Sequence, residues 1–244
     1  MGKLAGQHIF VTGGAQGIGA ATVEKCLAEG ARVSTMDLKA AAPGAAFSVQ
    51  GNVCNAEDVA RAHAMAREKF GPVTGLVNNA GRNSYADPVK MTEAEWDDVF
   101  AVDLKAAWLL ARQILPDMIA ARRGSIVNIA SVHADMTYPG FFPYAAAKSG
   151  LVGLTRSLAL EVGPHQVRVN ALSPGYTETA LVTEFFARND PSIRQKVLDV
   201  HPMGRMAKPA EIANCICFLL SDEASFVTGA NWRVDGGLTA RFAG

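Results

Sequence analysis

A tyrosine and a lysine open an otherwise apolar, alanine-rich stretch, PYAAAKSGLVGLTRSLALEV, from Pro143 to Val162. Tyr144 and Lys148 stand four residues apart, so one helical turn puts them on the same face. A phenol with its ordinary pKa of about 10 is a poor proton acceptor at neutral pH. An ammonium about 4–5 Å away, at an effective dielectric of about 20, stabilises the phenolate by about 3–4 kcal/mol before burial opposes it. The pair is therefore suited to acid–base work on an oxygen of a bound molecule.

A second group of residues is suited to phosphate. Gly13, Gly17 and Gly19 in VTGGAQGIGAATVEKCLAEG follow an apolar run and open a helical pattern. Glycines in that place allow a tight turn and let backbone N–H groups and a helix N-terminus approach a pyrophosphate, with Gln16 and Ile18 in the same loop. Asp37 ends the next apolar run about 20 residues on, where a carboxylate accepts hydrogen bonds from ribose hydroxyls and repels a 2′-phosphate. Gln16 and Leu38 offer that phosphate no basic partner, so NAD is expected in preference to NADP.

Both groups need a scaffold. Short apolar runs at 8–12, 32–37, 46–50, 75–81, 125–131, 167–173 and 232–237 alternate with helical patterns at about 17–29, 56–70, 93–122, 144–162 and 207–220. That alternation predicts an α/β fold, a single doubly wound Rossmann-type domain over 1–244 whose parallel seven-stranded sheet carries helices on both faces. Thr92 and Glu95 form a capping box for the long third helix, Gly124 is expected just past its end, and Pro116 is expected to kink or break it. Pro209 suits the first turn of the last helix. The stretch 173–206, with Pro174, Pro191 and Pro202, is expected to be a substrate loop or lid.

The chain has 244 residues, 49% hydrophobic and 19% charged, with 23 basic and 23 acidic side chains. A sizeable core is expected, and neither nucleic acid nor an anionic membrane is favoured as a partner. Cys26, Cys54, Cys215 and Cys217 lack disulfide or zinc spacing, and the last two read as core thiols. No run is apolar enough for a signal peptide or a membrane span, and MGKLAG lacks the residue a myristoyl signal needs at position six. A soluble cytoplasmic protein is expected.

TGGAQGIG, NNAG (78–81), Ser131 thirteen residues before Tyr144, YAAAK, SPGYTET (173–179) and VTGANWRVDGG (227–237) occur in the order seen in the short-chain dehydrogenase/reductase family, which the chain resembles over essentially its whole length. The resemblance implies hydride transfer between a nicotinamide and a secondary alcohol, lactol or carbonyl carbon. It makes Tyr144 the acid/base, Lys148 its partner and a contact of the nicotinamide ribose, and Ser131 the holder of the substrate oxygen. By the same resemblance Asn79 and Gly81 lie beside the adenosine ribose, Pro174 and Gly175 shape the nicotinamide pocket, and Thr177 and Thr179 approach the carboxamide and phosphates. No metal is required.

Two positions depart from the family pattern. Asn52-Val53 stands where Asp-Val usually contacts adenine, and an asparagine carbonyl can still accept from the adenine amino group. Asp103 stands where the family has a catalytic asparagine, adding a charge that can pair with Lys148 and weaken its pull on Tyr144. For the substrate, Arg82, Asn83, His133 and Asp135 are expected to present polar groups, with Phe141, Phe142, Tyr176, Phe185 and Phe186 as aromatic walls. That mixture suits a sugar or sugar-derived compound. The alternatives are a carbonyl reductase of the 3-oxoacyl type, or a scaffold that binds NAD without turnover. Kinship further implies a homodimer or homotetramer joined through the helices at 93–122 and 144–162; whether LTARFAG at the end reaches a neighbouring subunit is left open by the sequence.

Overall fold

A computed structural model describes residues 2–39, 43–44 and 46–241. Seven strands form one sheet in the order β3-β2-β1-β4-β5-β6-β7: β1 (His8–Thr12), β2 (Arg32–Asp37), β3 (Phe47–Gln50), β4 (Gly75–Asn78), β5 (Gly124–Ile129), β6 (Val167–Pro174) and β7 (Asn231–Val234). Every pairing is parallel. Strands built from runs such as HIFVT are buried along their whole length, as a sheet covered on both faces requires.

The helices are α1 (Gly17–Ala28), α2 (Ala56–Phe70), α3 (Glu93–Phe100), α4 (Ala106–Ala121), α5 (Tyr144–Val162), α6 (Ala180–Arg188), α7 (Ser192–Val200) and α8 (Pro209–Leu220). One face carries a core in which Phe10, Leu76 and Ile126 meet Leu110 and Ile114 of α4 and Ala159 of α5. On the other, Ile9, Val11 and Val77 meet Val23 of α1 and Ile212 and Ile216 of α8. Because β2 and β3 run outward from one side of β1 while β4 to β7 run outward from the other, winding reverses between β1 and β4. The connections leaving their carboxyl ends therefore turn to opposite faces and leave a crevice between them, the usual ligand position in such sheets.

Some local expectations need correction. The long third helix is interrupted by a π-helical turn over Ala101–Lys105, not at Pro116, which lies inside α4. Arg122 (φ 49°), not Gly124, adopts the left-handed conformation past α4. Gly124 is the first residue of β5, where a Cβ would come within 2.6 Å of Met118 Sδ. The 173–206 stretch folds mostly into α6 and α7 rather than loop. Cys217 is buried, whereas Cys215 is only partly so. The Thr92–Glu95 capping box and Pro209 in the first turn of α8 appear as expected. The last residues of LTARFAG, 242–244, lie outside the described residues.

Two polar devices hold the sheet in register. Arg168 of β6 donates to the carbonyls of Leu219 (2.8 Å) and Ser221 (3.1 Å), closing the negative end of α8. Asn78 of β4 donates to Asn128 of β5 (2.8 Å), and Asn128 donates to Thr155 of α5 (2.9 Å). That buried thread fixes α5 against the sheet two turns beyond Lys148.

His8 is fully buried, with Nδ1 on the Gly71 carbonyl and Nε2 on the Ser34 hydroxyl, so it is held neutral. Burial pushes the pKa of His8 and His63 below the ordinary histidine value. The unfolded chain then binds protons that the folded chain refuses, so stability is full above about pH 6.5 and declines as pH falls through that value. Thermal unfolding followed from pH 7.5 down to 5 should show a falling Tm, and His8→Gln should show a shallower slope.

Candidate active site

The cleft at the carboxyl ends of the strands has a volume of about 510 Å3 and holds nearly every residue singled out from the sequence. At its β1 end, Gly13 (φ 66°) and Gly17 (φ 57°) take a conformation that side-chain-bearing residues rarely adopt. Gly19 begins the helical ascent so close to the turn that a Cβ would lie 1.9 Å from the Gly13 carbonyl oxygen. Thr179, which caps α6, leans over this loop, its Cγ2 3.2 Å from where a Gly17 Cβ would stand. Pro174, Gly175 and Thr177 continue that wall, and Ile18 and Gly81 also face the cleft.

Several of these side chains have partners that sequence alone did not supply. Asp37 accepts from the backbone N–H of Ala15 (3.0 Å) and of Lys39 (2.9 Å), which fixes its carboxylate at the end of β2. Lys39 Nζ lies 3.5 Å from Gln16 Oε1, so a basic residue does stand at this end, contrary to expectation. Asn79 donates to the carbonyls of Thr12 and Gly13, both at 3.0 Å, and thereby braces the glycine turn. Asn52 uses its side-chain oxygen on Cys54 N–H (3.0 Å), while Val53 beside it is buried.

At the β5 end, Ser131, Tyr144 and Lys148 converge, all largely buried. Ser131 follows β5 and caps a short turn through its Oγ, which accepts from His133 N–H at 3.2 Å. Tyr144 is the first residue of α5, and Lys148 lies one turn on, its Nζ 5.6 Å from the tyrosine ring centre. Lys148 donates to the Ile129 carbonyl at the end of β5 (3.0 Å) and sits 3.2 Å from Asp103 Oδ1. The π-helical turn carries Asp103 inward, where its Oδ1 also accepts from Arg82 N–H (3.2 Å) and its Oδ2 has no partner among the described residues.

This buried pair alters the proton chemistry. Burial pushes the Tyr144 pKa up, Lys148 pulls it down, Asp103 pushes it up again, and the nearby Ser131 hydroxyl lowers it; the net direction is upward. The expected fall through Lys148 is thus outweighed in the unliganded chain. Burial opposes the Lys148 charge, but Asp103 and Tyr144 hold it on, and its pKa ends above the ordinary value. Burial likewise raises Asp103 against the pull of Lys148.

Of the expected polar substrate residues, Arg82, Asn83 and His133 line the cleft and Asp135 does not. The Arg82 guanidinium pairs with Asp98 of α3, and Asp135 is taken by Arg233 (2.8 Å). Asn83 donates to the Tyr85 hydroxyl (3.0 Å). His133 is brought to the site, with Nδ1 on Thr137 Oγ1 (2.9 Å) and its ring 3.9 Å from that of Phe141, and burial pushes its pKa down to about 4. Phe142 packs on Trp96 rather than in the cleft. Lys39 and Tyr85 line the cleft and were missed; both sit in irregular segments where no periodicity reports direction.

The family model described as Enoyl-(Acyl carrier protein) reductase matches residues 13–239. The 2-(S)-hydroxypropyl-CoM dehydrogenase 3 of Xanthobacter autotrophicus is 37% identical, with 98% of each chain covered. The 3-oxoacyl-acyl-carrier-protein reductase of Thermotoga maritima is 36% identical over 97% of this chain and 99% of its own. The chain belongs to the short-chain dehydrogenase/reductase family. Among solved structures of this family, ligand-free Thermoplasma acidophilum aldohexose dehydrogenase superposes with a TM-score of 0.92 at 33% identity, covering 98% of this chain and 96% of its own.

Within this short-chain dehydrogenase/reductase, Asp103→Asn keeps an acceptor for Arg82 N–H and removes the charge that opposes ionisation of Tyr144. The alkaline-rising limb of the oxidation rate should move to lower pH by roughly one unit. Superimposable pH–rate profiles of wild type and variant would refute the coupling.

Proposed function

We propose that the chain is an NAD(H)-dependent oxidoreductase that moves a hydride between nicotinamide and the carbon of a secondary alcohol or carbonyl in a small substrate. The convergence of Ser131, Tyr144 and Lys148 in a cleft that also contains the glycine turn carries this reading. The residues present fit a dinucleotide: the positive-φ turn at Gly13 and Gly17, a Gly19 whose Cβ would strike backbone, and an oriented Asp37 carboxylate form a cradle for pyrophosphate and ribose. When bound, the cofactor supplies the hydride acceptor or donor.

The chain's own residues handle the oxygen and its proton. The Ser131 hydroxyl holds the substrate oxygen. Tyr144 takes the proton from an alcohol during oxidation, or gives it to the alkoxide during reduction. Lys148 stabilises the phenolate that appears in between, and Asp103 sets how strongly it does so.

Asp37 supports NAD, because a 2′-phosphate would meet its carboxylate. Lys39 near Gln16 favours a second reading, a carbonyl reductase using NADPH; the Thermotoga maritima relative is named a 3-oxoacyl-acyl-carrier-protein reductase. A sugar substrate draws support from the aldohexose dehydrogenase likeness, but not from the way Arg82 and Asp135 turn to protein partners. A dimer or tetramer through α4 and α5 is part of the proposal, since Trp108 and Leu160 on those helices remain 43% and 80% exposed. So is a single domain in the cytoplasm; among the described residues no helix is long and apolar enough to cross a membrane.

Three outcomes check this reading. Tyr144→Phe should lose about 10²–10⁴-fold in kcat, the usual range for a general acid–base, while calorimetry shows cofactor affinity unchanged. Wild-type kcat/KM should favour NAD over NADP, and Asp37→Ser should lower that ratio by about tenfold, or about 1.4 kcal/mol. Sedimentation of Leu160→Glu should show more monomer than wild type. Cofactor binding with no wild-type turnover on any alcohol or ketone would instead favour the non-catalytic scaffold.

A further inference from the structure

We infer that the substrate end of the cleft is built for a compact, uncharged, ring-bearing secondary alcohol or its ketone, held among Tyr85, Phe141 and Phe185; this rests on the oxidoreductase reading above. Three separate segments supply those rings: the stretch after β4, the stretch before α5, and α6. The Phe141 ring centre is 6.3 Å from that of Tyr144 and 5.0 Å from that of Tyr85, which stacks in turn on Phe185 at 6.0 Å and 19°. A continuous row of rings thus leads outward from the catalytic hydroxyl. Tyr85 keeps 51% of its surface exposed while facing the cleft, an aromatic face left free where a ligand would cover it.

Charge points the same way. The charged side chains among the described residues that line the cleft are Asp37, Lys39, Arg82, Asp103 and Lys148. Asp37 and Lys39 stand at the β2 end, Asp103 and Lys148 neutralise each other, and Arg82 is paired with Asp98. A carboxylate, phosphate or sulfonate on the substrate would find no unpaired cation beside the rings and would lose its hydration without replacement. Polyols fare little better. One Asn83 N–H is engaged with the Tyr85 hydroxyl and His133 Nδ1 with Thr137 Oγ1, and the α6 wall of Ala180, Leu181 and Val182 offers no side-chain partner to further hydroxyls beyond the one that Ser131 and Tyr144 hold.

The test compares ligands of similar size in the dead-end complex with reduced cofactor, in which an alcohol can bind but not react. Wild-type protein saturated with NADH, and separately with NADPH, is titrated calorimetrically with 1-phenylethanol, cyclohexanol, sorbitol and 3-hydroxybutyrate. The ring alcohols should bind at least tenfold more tightly than sorbitol or the hydroxy acid. Phe185→Ala and Tyr85→Ala, each on an exposed or half-exposed position, should weaken the ring alcohols about tenfold or more, with sorbitol little changed. Oxidation rates with NAD and NADP should follow the same ranking in kcat/KM, chiefly through KM. Sorbitol or 3-hydroxybutyrate binding as tightly as the ring alcohols would overturn the inference and leave the oxidoreductase reading standing. No binding by any alcohol, with the cofactor bound, would overturn it too. Failure of both cofactors to bind would sink the oxidoreductase reading and this one with it.

Discussion

The site is organised around a buried ammonium. Lys148 is only 4% exposed, and a cation taken out of water must be given partners or lose its charge. It has two, the Ile129 carbonyl at the end of β5 and the Asp103 carboxylate. The first requires α5 to dock with its opening turn against the carboxyl end of the interior strand β5. The second requires the helical backbone between α3 and α4 to widen into a π-helical turn, which brings Asp103 inward. Even Gly81 belongs to this constraint, because a Cβ there would come within 2.7 Å of Asp103 Oδ1 and 3.3 Å of Lys148 Nζ. The buried set carries no net charge, and in the unliganded chain its balance leaves Tyr144 protonated.

Such an arrangement needs a rigid support, and the parallel sheet provides it. Asn78, Asn128 and Thr155 tie β4, β5 and α5 together behind the site, each amide satisfied by the next group along. Loss of the middle member would strand two buried polar groups rather than one, which makes the thread costly to break. Reversal of winding between β1 and β4 opens the crevice, while the Asn79 amide draws the glycine turn and the β4 end together across it. The phosphate-binding turn, after β1, and the proton-handling helix, anchored on β5, are therefore held by one sheet with β4 between them, not by flexible connections.

What was legible in the sequence was whatever backbone geometry alone dictates. The spacing of Tyr144 and Lys148, the glycines of the first turn, the alternation of strands and helices and the capping box at Thr92 all follow from local rules, and each appears in place. The π-helical turn was not legible, because AVDLK reads locally as regular helix and Pro116 offered a more obvious place for a break. It arises where burying Asp103 beside Lys148 outweighs regular helical hydrogen bonding. Side-chain destinations in irregular segments were equally hidden. Arg82 reaches Asp98 sixteen positions along the chain, and Asp135 reaches Arg233 ninety-eight positions away, pairings set by tertiary packing. The aromatic residues were visible as a list; that Tyr85, Phe141 and Phe185 form a row was not.

Charge is distributed along the cleft in a way that separates its two tasks. At the β2 end a fixed carboxylate and a lysine offer groups suited to a ribose and its phosphates. In the middle, opposite charges at 3.2 Å cancel at long range while remaining strong at contact, so they govern one phenol and little else. Beyond the phenol the walls are rings, with the nearest guanidinium already paired and the nearest imidazole held neutral by burial. A whole chain of zero formal charge adds no net steering of its own. Selection at the outer end must then come from shape and apolar contact, and a bound ring that covered Tyr85 would also exclude water from the space around Tyr144. Excluding that water strengthens each short-range interaction in the centre, so the groups that choose the substrate and the groups that move its proton act on one another through the local dielectric.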